Sequence, residues 1–520
     1  MPIFGGFFAA SLDYVALYAR NPVMLRLIPS LVTPFSLLLL LLANCAVAQS
    51  PGVFANVAYE VEAGPILSSA KSNPFWLRSN EYGEVPLESQ LFTLRAQLRK
   101  DYDTTGKFSY GYGARVVANA GRATQLLLPE LYAKVRYGAF ELYAGRRREI
   151  IGLVDSTLSA GSYIWSGNAL PIPKVQLSIP DYVPILFKSK ILAVKGQFSH
   201  GWFGSGDSTS NFYLHQKSLY LRLGKPSWRF KMHGGINHQA QWGGSPTVPF
   251  YDAIKKVPVT KFGNSMEAYL SVVLGLPINY ETRTFATGGQ VYGEGNRLGN
   301  HLGSLDLALE YEGTAGRWLL YRQSVYEDGS LYSLTNIADG LSGISWTSRK
   351  ATGSGIKKIS VEYLYTANQG GPYSARIGFD YLRGQDNYFD NGVYNEGWVY
   401  HQQTIGTPFI TTLRNSTGLP ADSNELLAVN PNQIVNNRVK ALTISAIARL
   451  GKIDLLSRIS TSENLGSYRL DYPISERQLS LFQRVSLPVK QYTFSADVAY
   501  DGAGIYEGGL GTRLLVRRTF

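Results

Sequence analysis

The feature that most constrains this chain is a two-residue alternation of apolar and polar side chains that recurs along residues 92–520. Its first run places Phe92, Leu94, Ala96 and Leu98 on one face and Thr93, Arg95, Gln97 and Arg99 on the other. Because successive side chains of a β-strand point to opposite faces, the alternation predicts strands with one apolar and one polar face. After residue 49 no apolar run approaches the roughly 18 residues of a helical membrane span, so such spans are excluded.

The runs of alternation are separated by short polar turns. The runs at 92–99 and 108–116 flank the polar stretch 101–107, and this arrangement predicts a hairpin. Similar runs occur at 131–137, 219–223, 305–311, 375–381 and 494–500. Strands of this length joined by short turns predict one antiparallel all-β domain.

Aromatic residues and the last strand indicate where this sheet lies. The chain holds 34 Tyr, 23 Phe and 8 Trp. Many of these aromatic residues lie on the apolar face near strand ends, as in the aromatic girdles of membrane barrels. Residues 510–520 form an alternating run that closes on Phe520, similar to the signal by which outer-membrane barrels are recognised for assembly. A secreted sandwich or lectin is the alternative, since the strands of a soluble antiparallel sheet also alternate.

Among β-sheet structures, only a closed barrel satisfies every backbone hydrogen bond in lipid. We therefore predict a transmembrane antiparallel β-barrel of about 18 strands, from the chain length and the usual residues per strand and loop. Long loops are predicted at residues 155–185, 240–262, 327–355 and 385–435, either outside the cell or folded into the lumen.

The N-terminal residues predict export. The apolar run Leu37–Leu42 is followed by Ala46-Val47-Ala48, an A-x-A cleavage pattern, so residues 1–48 are predicted to be a cleaved signal peptide. Residues 1–23 are interpreted as an over-long start, because Met24 lies closer to the apolar run. The only cysteine of the chain, Cys45, lies within this predicted signal peptide. It follows Asn44 rather than the small residue that a lipid anchor needs. We assign residues 49–88 to a short periplasmic segment and 89–520 to the barrel.

Five blocks of sequence, taken in order, resemble the Wzi-type capsule assembly family of outer-membrane barrels. They lie at 73–83, 158–173, 235–244, 326–340 and 386–408, and the first reads NPFWLRSNEYG. The resemblance implies a non-enzymatic protein that binds newly exported capsular polysaccharide and assists its assembly or attachment. It also implies contact with outer-membrane lipid and, during biogenesis, with the barrel-assembly machinery. The resemblance also implies a helical periplasmic element. Long helices are not expected in 49–88, the segment where it would lie, because four prolines interrupt that segment.

Sugar binding needs aromatic faces that stack on pyranose rings and polar groups that bond hydroxyls. One stretch supplies both. Its candidate residues are Asp386, Asn387, Tyr388, Asp390, Asn391, Tyr394, Trp398 and Tyr400. The alternative is a structural lid packed in the barrel mouth, with Asn391-Gly392 as a turn.

Two further groups are candidates for polysaccharide binding. Trp165 and Asn168 lie in a proline-rich stretch, for which the alternative is an inward-folded structural loop. Arg146, Arg147 and Arg148 offer guanidinium forks for an acidic polymer, and the alternative is an anchor for lipid phosphates.

Charge and motifs narrow the function class. The formal net charge is +12, which suits an acidic glycan or lipid head groups, whereas the Tyr- and Gly-rich, weakly charged composition does not suggest nucleic-acid binding. We recognise no catalytic motif, metal-ligand spacing or cofactor signature, so no catalytic residue, metal or cofactor is predicted. A porin-like sugar or nutrient channel remains the main alternative, and an outer-membrane hydrolase with scattered catalytic residues remains a third.

Overall fold

A computed structural model describes residues 56–520. The gaps in the description are 104–105, 186–188, 280, 286–289, 291–296, 328–330, 332, 351, 374–383 and 420–429. The predicted signal peptide at 1–48 and the predicted strand at 375–381 lie outside the described residues. Among the helices described, none is long and apolar enough to cross a membrane.

In the described residues, eighteen long strands form one closed antiparallel barrel. In chain order they are β1 (Val57–Ser68), β2 (Leu91–Lys100), β3 (Phe108–Gly121), β4 (Gln125–Tyr137), β5 (Phe140–Arg146), β6 (Lys174–Pro184), β7 (Leu192–Ser205), β8 (Thr209–Leu223), β9 (Phe230–Trp242), β13 (Asn300–Glu312), β14 (Gly316–Tyr326), β15 (Gly340–Ser348), β16 (Gly355–Tyr365), β21 (Val439–Leu450), β22 (Ile453–Gly466), β23 (Asp471–Val489), β24 (Tyr492–Asp501) and β25 (Gly509–Thr519).

The remaining elements of the described chain lie in its loops. They are β10 (Ser245–Pro246), β11 (Phe250–Asp252), β12 (Val257–Val259), β17 (Val399–Tyr400), β18 (Gln403–Thr404), β19 (Thr411–Thr412), β20 (Ile434–Asn436), and the helices α1 (Phe75–Arg78) and α2 (Met266–Leu274). Strand β10 extends the main sheet beside β8, and the other six short strands form two-stranded pairs.

The barrel closes through its first strand, because β1 pairs with both β2 and β25. The register places Glu62 opposite Arg517 and Leu67 opposite Thr512. The predicted barrel of about 18 strands is confirmed. Its predicted start at residue 89 needs correction, since β1 lies within the stretch assigned to the periplasm. Gly64 and Pro65 interrupt the alternation of β1, so its role as a strand depends on pairing with β25 rather than on a local signal.

The two ends of the barrel have connections of different length. At one end the connections are the short turns 101–107, 138–139, 185–191, 224–229, 313–315, 349–354, 451–452 and 490–491. The other end, which we call the long-loop end, carries 69–90, 147–173, 243–299, 327–339 and 366–438 beside short connections. Since short turns are periplasmic in outer-membrane barrels, the long-loop end is the extracellular one.

Two of the predicted long loops are shorter than expected. Strand β6 occupies the end of the predicted loop 155–185, and β15 lies within 327–355. Both strands contain residues typical of turns, with two prolines in β6 and two glycines in β15. Hydrogen bonds to the neighbouring strands, β5 and β7 for β6 and β16 for β15, hold these stretches extended.

The strands turn their apolar face outward and their polar face inward. On β13, Leu305 and Leu307 are exposed on the outer wall, whereas Ser304 and Asp306 are buried facing the lumen. The predicted division of faces is therefore confirmed, and the outer face is the one that contacts lipid.

Candidate functional site

The polar inner wall binds the backbone of loops that fold into the lumen. Asp306 accepts a hydrogen bond from the Leu153 amide at 2.9 Å, and Glu362 accepts one from the Ala160 amide at 2.5 Å. A third wall carboxylate, that of Asp501, accepts one at 2.7 Å from the amide that begins α1. Buried backbone amides need such partners, so much of the inner face serves inserted segments rather than water.

We call the inserted segments 73–90, 147–173, 385–416 and 430–437 the lumen plug. Their apolar side chains join inward-facing wall residues in one core. Phe75 packs on Phe409 with ring centroids 5.2 Å apart, and Tyr163 meets Phe389 edge-on at 5.4 Å. The plug thus links segments more than 300 residues apart in sequence and packs across the lumen.

The aromatic candidates in 385–401 are buried within this plug. The buried rings are Tyr388, Tyr394, Trp398 and Tyr400. The hydroxyl of Tyr388 donates to Asp339 at 2.8 Å, and that of Tyr394 donates to the Gly243 carbonyl at 3.1 Å. A sugar can stack on these rings only if the plug moves, so in this conformation they pack as the structural alternative describes.

Among the polar candidates of the same stretch, Asn387 and Asn391 are half-buried. Asn387 donates to the Asp390 carboxylate at 2.7 Å, and Asn391 accepts the amides of Val393 and Tyr394 at 2.8 and 3.0 Å, which forms the expected turn. Asp386 is buried together with Asp390. Burial raises the pKa of Asp390, while its hydrogen bond from Asn387 opposes the rise.

Trp165 and Asn168 also belong to the plug. The amide of Asn168 donates to the Thr404 carbonyl at 3.0 Å, which ties two plug segments together. The Lys174 ammonium lies 4.9 Å from the centroid of the Trp165 ring, so one of the buried ring's faces is already occupied by a cation.

The arginine triplet faces the lumen rather than lipid phosphates. Arg147 bonds Glu141 at 2.7 Å and Glu149 at 2.6 Å. Arg148 bonds Glu130 at 3.0 Å, and Arg146 donates to the plug hydroxyl of Tyr400 at 3.0 Å. The anchor alternative is therefore wrong for this triplet, because its guanidinium groups pair inside the barrel.

Two cavities lie on the short-turn side of the plug. One of about 340 Å³ is lined by Arg99, Glu130, Tyr132, Lys134, Arg147, Arg148, Glu149, Ile150, Ile151 and Gln197. The other, of about 230 Å³, adjoins the plug residues Trp76, Glu81 and Tyr82 and the wall residue Arg458. Both lie near the periplasmic mouth, with the plug between them and the cell surface.

Ion pairs in the lumen fix the charge of two plug carboxylates. Burial alone raises the pKa of Glu81, but Arg513, Arg95 and Arg484 outweigh it and lower that pKa to about 2. The Glu149 carboxylate is likewise disfavoured by burial, and Lys174 and Arg147 lower its pKa to about 2. Both groups are therefore anionic at neutral pH and hold the plug to the wall.

A charged patch lies at the long-loop end. We call it the extracellular patch, and it comprises Asn387, Asp390, Asn391, Arg438, Tyr468 and Arg469. The Arg469 guanidinium, whose side chain is 66% exposed, lies 3.4 Å from the Asp390 carboxylate. The Arg438 guanidinium stacks on the Tyr468 ring at 4.2 Å. Guanidinium groups beside amides and an aromatic ring can bond an acidic sugar.

Sequence reasoning missed Arg438, Tyr468 and Arg469. Tyr468 and Arg469 lie in the four-residue connection between β22 and β23, where no motif marks them. The Tyr468 hydroxyl donates to the Asn368 carbonyl at 2.9 Å, in the connection that follows β16. The pairing of β21 with β22 brings this connection to the end of the long connection 366–438, and the fold of that long connection places 385–391 beside it.

The fold and lumen define the class of protein: an outer-membrane β-barrel whose lumen holds inserted segments. The family model for the capsule assembly protein Wzi matches residues 76–412, which is more than half of the chain. The protein therefore belongs to the Wzi family of capsule assembly proteins.

A solved structure shows the same fold, and a second shows a weaker likeness. Wzi of Escherichia coli, described as a carbohydrate-binding barrel involved in group 1 capsule assembly, is 11% identical, with a TM-score of 0.55 over 89% of this chain and 85% of that one. OccK5 of Pseudomonas aeruginosa is 10% identical, with a TM-score of 0.41 over 89% of this chain and 97% of that one. No match is found among curated protein sequences.

Proposed function

We propose that this protein binds an acidic capsular polysaccharide at the cell surface through the extracellular patch, and assists capsule assembly or attachment without catalysing a reaction. The observation that carries the proposal is the exposed Arg469 beside Asp390, in a barrel of the capsule assembly family. The described carbohydrate binding of the Escherichia coli relative supports the same ligand class.

The chemistry of the patch suits a uronic-acid polymer. The exposed guanidinium of Arg469 can form two parallel hydrogen bonds with a carboxylate. Asn387 and Asn391 offer amide groups for sugar hydroxyls, and the Tyr468 ring is preordered by the stacked Arg438. In this proposal the buried aromatic residues and the arginine triplet do not contact the polysaccharide. They stabilise the plug that supports the extracellular patch.

Other partners remain part of the proposal. We infer contact with outer-membrane lipid along the barrel wall and with the barrel-assembly machinery during biogenesis. Export through a cleaved signal peptide at residues 1–48 likewise stays a prediction.

Replacing Arg469 with Gln tests the patch. We expect roughly three- to tenfold weaker binding of alginate oligosaccharides, because a charge-assisted hydrogen bond is lost while Asp390 stays hydrogen-bonded. Binding to purified protein in detergent is measured by calorimetry, with neutral dextran oligosaccharides as the comparison ligand.

Binding of alginate by the unchanged protein is expected to weaken steeply from about 10 mM to about 1 M salt, as the screening length falls from about 30 Å to about 3 Å.

Arg349→Gln is the matched control, since Arg349 is 56% exposed and lies 3.7 Å from Glu312 in a turn at the opposite end of the barrel. Equal loss in both variants, or binding indifferent to salt, contradicts an acidic ligand at the patch. In cells, deletion of the gene is expected to release capsule into the medium, and unchanged capsule retention contradicts the assembly role itself.

A further inference from the structure

Part of the long connection 243–299 packs on the outside of the barrel wall. On β9, Ile236 is exposed to the outside at 44%, and Ala240 and Trp242 share its face because they follow at even spacing. Yet Ala240 and Trp242 are 0% and 4% exposed. They are covered by Ala268 and Val272 of α2, with which they form a separate apolar cluster.

Polar outward-facing side chains lie under the same helix. We call His200, His215, His238 and His301 the histidine row. Each stands on the outer face of its strand, as the exposed Phe198, Leu219, Ile236 and Leu305 on the same faces indicate. The rings of His200 and His215 each lie 5.9 Å from the Tyr269 ring of α2.

Further contacts fix the helix to this wall. The imidazoles of His238 and His301 are 2.9 Å apart between Nε2 and Nδ1, and the Tyr269 ring packs on Trp242 at 5.2 Å. The outward-facing Lys217 donates to the carbonyl of Val273. A cation at the last turn of a helix complements the unpaired carbonyls there.

Local sequence specifies α2 as a helix with defined ends. The Ser265 hydroxyl accepts a hydrogen bond from the Ala268 amide at 3.1 Å and caps the N-terminus. Gly275 ends the helix in the left-handed conformation with φ of 65°. A helix with caps at both ends is a defined element of the fold, so the side chains on its outer face have fixed directions.

The outer face of α2 is apolar and exposed. Met266, Leu270 and Leu274 are 71%, 52% and 65% exposed, and their spacing of four places them in one stripe along the helix. Such a stripe is unfavourable in water. It is continuous with the exposed apolar wall formed by residues such as Leu219 and Leu305, which contacts lipid.

We propose that α2 is a lipid-facing helix whose stripe of Met266, Leu270 and Leu274 contacts the acyl chains of the outer leaflet. The outer leaflet follows from its place near the long-loop end of β7–β9 and β13. In this position the helix also covers the histidine row, which would otherwise present polar groups to lipid at a cost. This proposal does not depend on polysaccharide binding.

Spin labelling tests the proposal. Nitroxide labels are placed on Leu270→Cys and Leu274→Cys, with Cys45 changed to Ser so that no other thiol remains. In reconstituted vesicles, we expect frequent collisions with oxygen, which dissolves in lipid, and few with a water-soluble nickel chelate. Leu305→Cys is the lipid-facing control, and Lys256→Cys, exposed in the same connection, is the aqueous control.

Labels at 270 and 274 that behave like the label at 305 support the proposal. Labels that behave like the one at 256 overturn it and place the stripe in water. Low collision rates with both reagents also overturn it, because they indicate that protein, such as a second copy of the chain, covers the stripe. Retained heat-modifiable mobility in gels verifies that each labelled variant is folded.

Discussion

Single buried carboxylates on the inner wall hold the plug in the lumen by accepting several hydrogen bonds. Asp306 gathers donors from β8, β9, β13, β14 and the plug, including the hydroxyl of Tyr220 at 3.1 Å and the Leu153 amide at 2.9 Å. Removing such an acceptor leaves several buried donors without a partner, which costs more than the bonds contribute when made.

Asp306→Ala is expected to destabilise the protein by about 2–4 kcal/mol, because the buried donors around it lose their acceptor. Urea unfolding in detergent, followed by tryptophan fluorescence, measures the change. Asp471→Ala is the control, since Asp471 is exposed and pairs with Arg438 near the surface, so it should cost under about 1 kcal/mol. Similar losses for the two variants contradict the role of Asp306.

Stability should also fall at low pH through Glu81. Its folded pKa of about 2 lies below the value of 4.5 for an unpaired Glu, so its contribution is complete above pH 4.5 and is lost as the pH falls toward 2. The urea midpoint is therefore expected to drop between pH 5 and about 2.5. Glu81→Gln should flatten that drop, and an unchanged pH profile in this variant contradicts the assignment.

The elements differ in what specifies them. Hairpin strands are defined by their own alternation and turns, whereas the plug segment 385–416 has little regular structure and depends on wall contacts. The Gln241 amide holds the Gly397 carbonyl at 2.9 Å, and Gly397 adopts a φ of 64°. Only glycine adopts this conformation readily, and a Cβ there would collide with the Phe389 carbonyl.

Gly397→Ala should therefore loosen the plug by about 1–3 kcal/mol while leaving the barrel folded. Limited proteolysis is expected to cleave 385–416 faster, with unchanged heat-modifiable mobility. Gly392→Ala in the same segment is the control, because an added Cβ there meets no neighbour within 4 Å. Equal cleavage of both variants means that the conformation of Gly397 does not hold the plug.

At the scale of the whole molecule, the plug bears on the porin-like alternative. The inserted segments pack into one core with wall residues from opposite parts of the sheet, such as Leu214 and Phe482. A lumen packed in this way resists steady ion flow. In planar bilayers we expect no long-lived ohmic steps of porin size, and reproducible open-channel conductance would favour the channel.

Much of the fold was predictable from sequence, since alternation such as Leu305 to Leu309 is a local property of strands. The candidate site was harder to predict from the sequence. The alternation predicted the polar inner face that contains Asp306, but not that Asp306, Glu362 and Asp501 accept hydrogen bonds from plug amides. The histidine row gave no signal either, because His200, His215, His238 and His301 meet only when four strands stand side by side.

The sequence by itself determined the strand pattern, the class of membrane protein and the family, because periodicity and ordered motifs are written along the chain. Tertiary structure decided that β1 closes the barrel, that Tyr388 and Trp398 are buried in the plug, and that Arg469 lies beside Asp390. These outcomes depend on contacts between residues that are distant in sequence. Such contacts form only when the strands have paired and the long connections have folded between them.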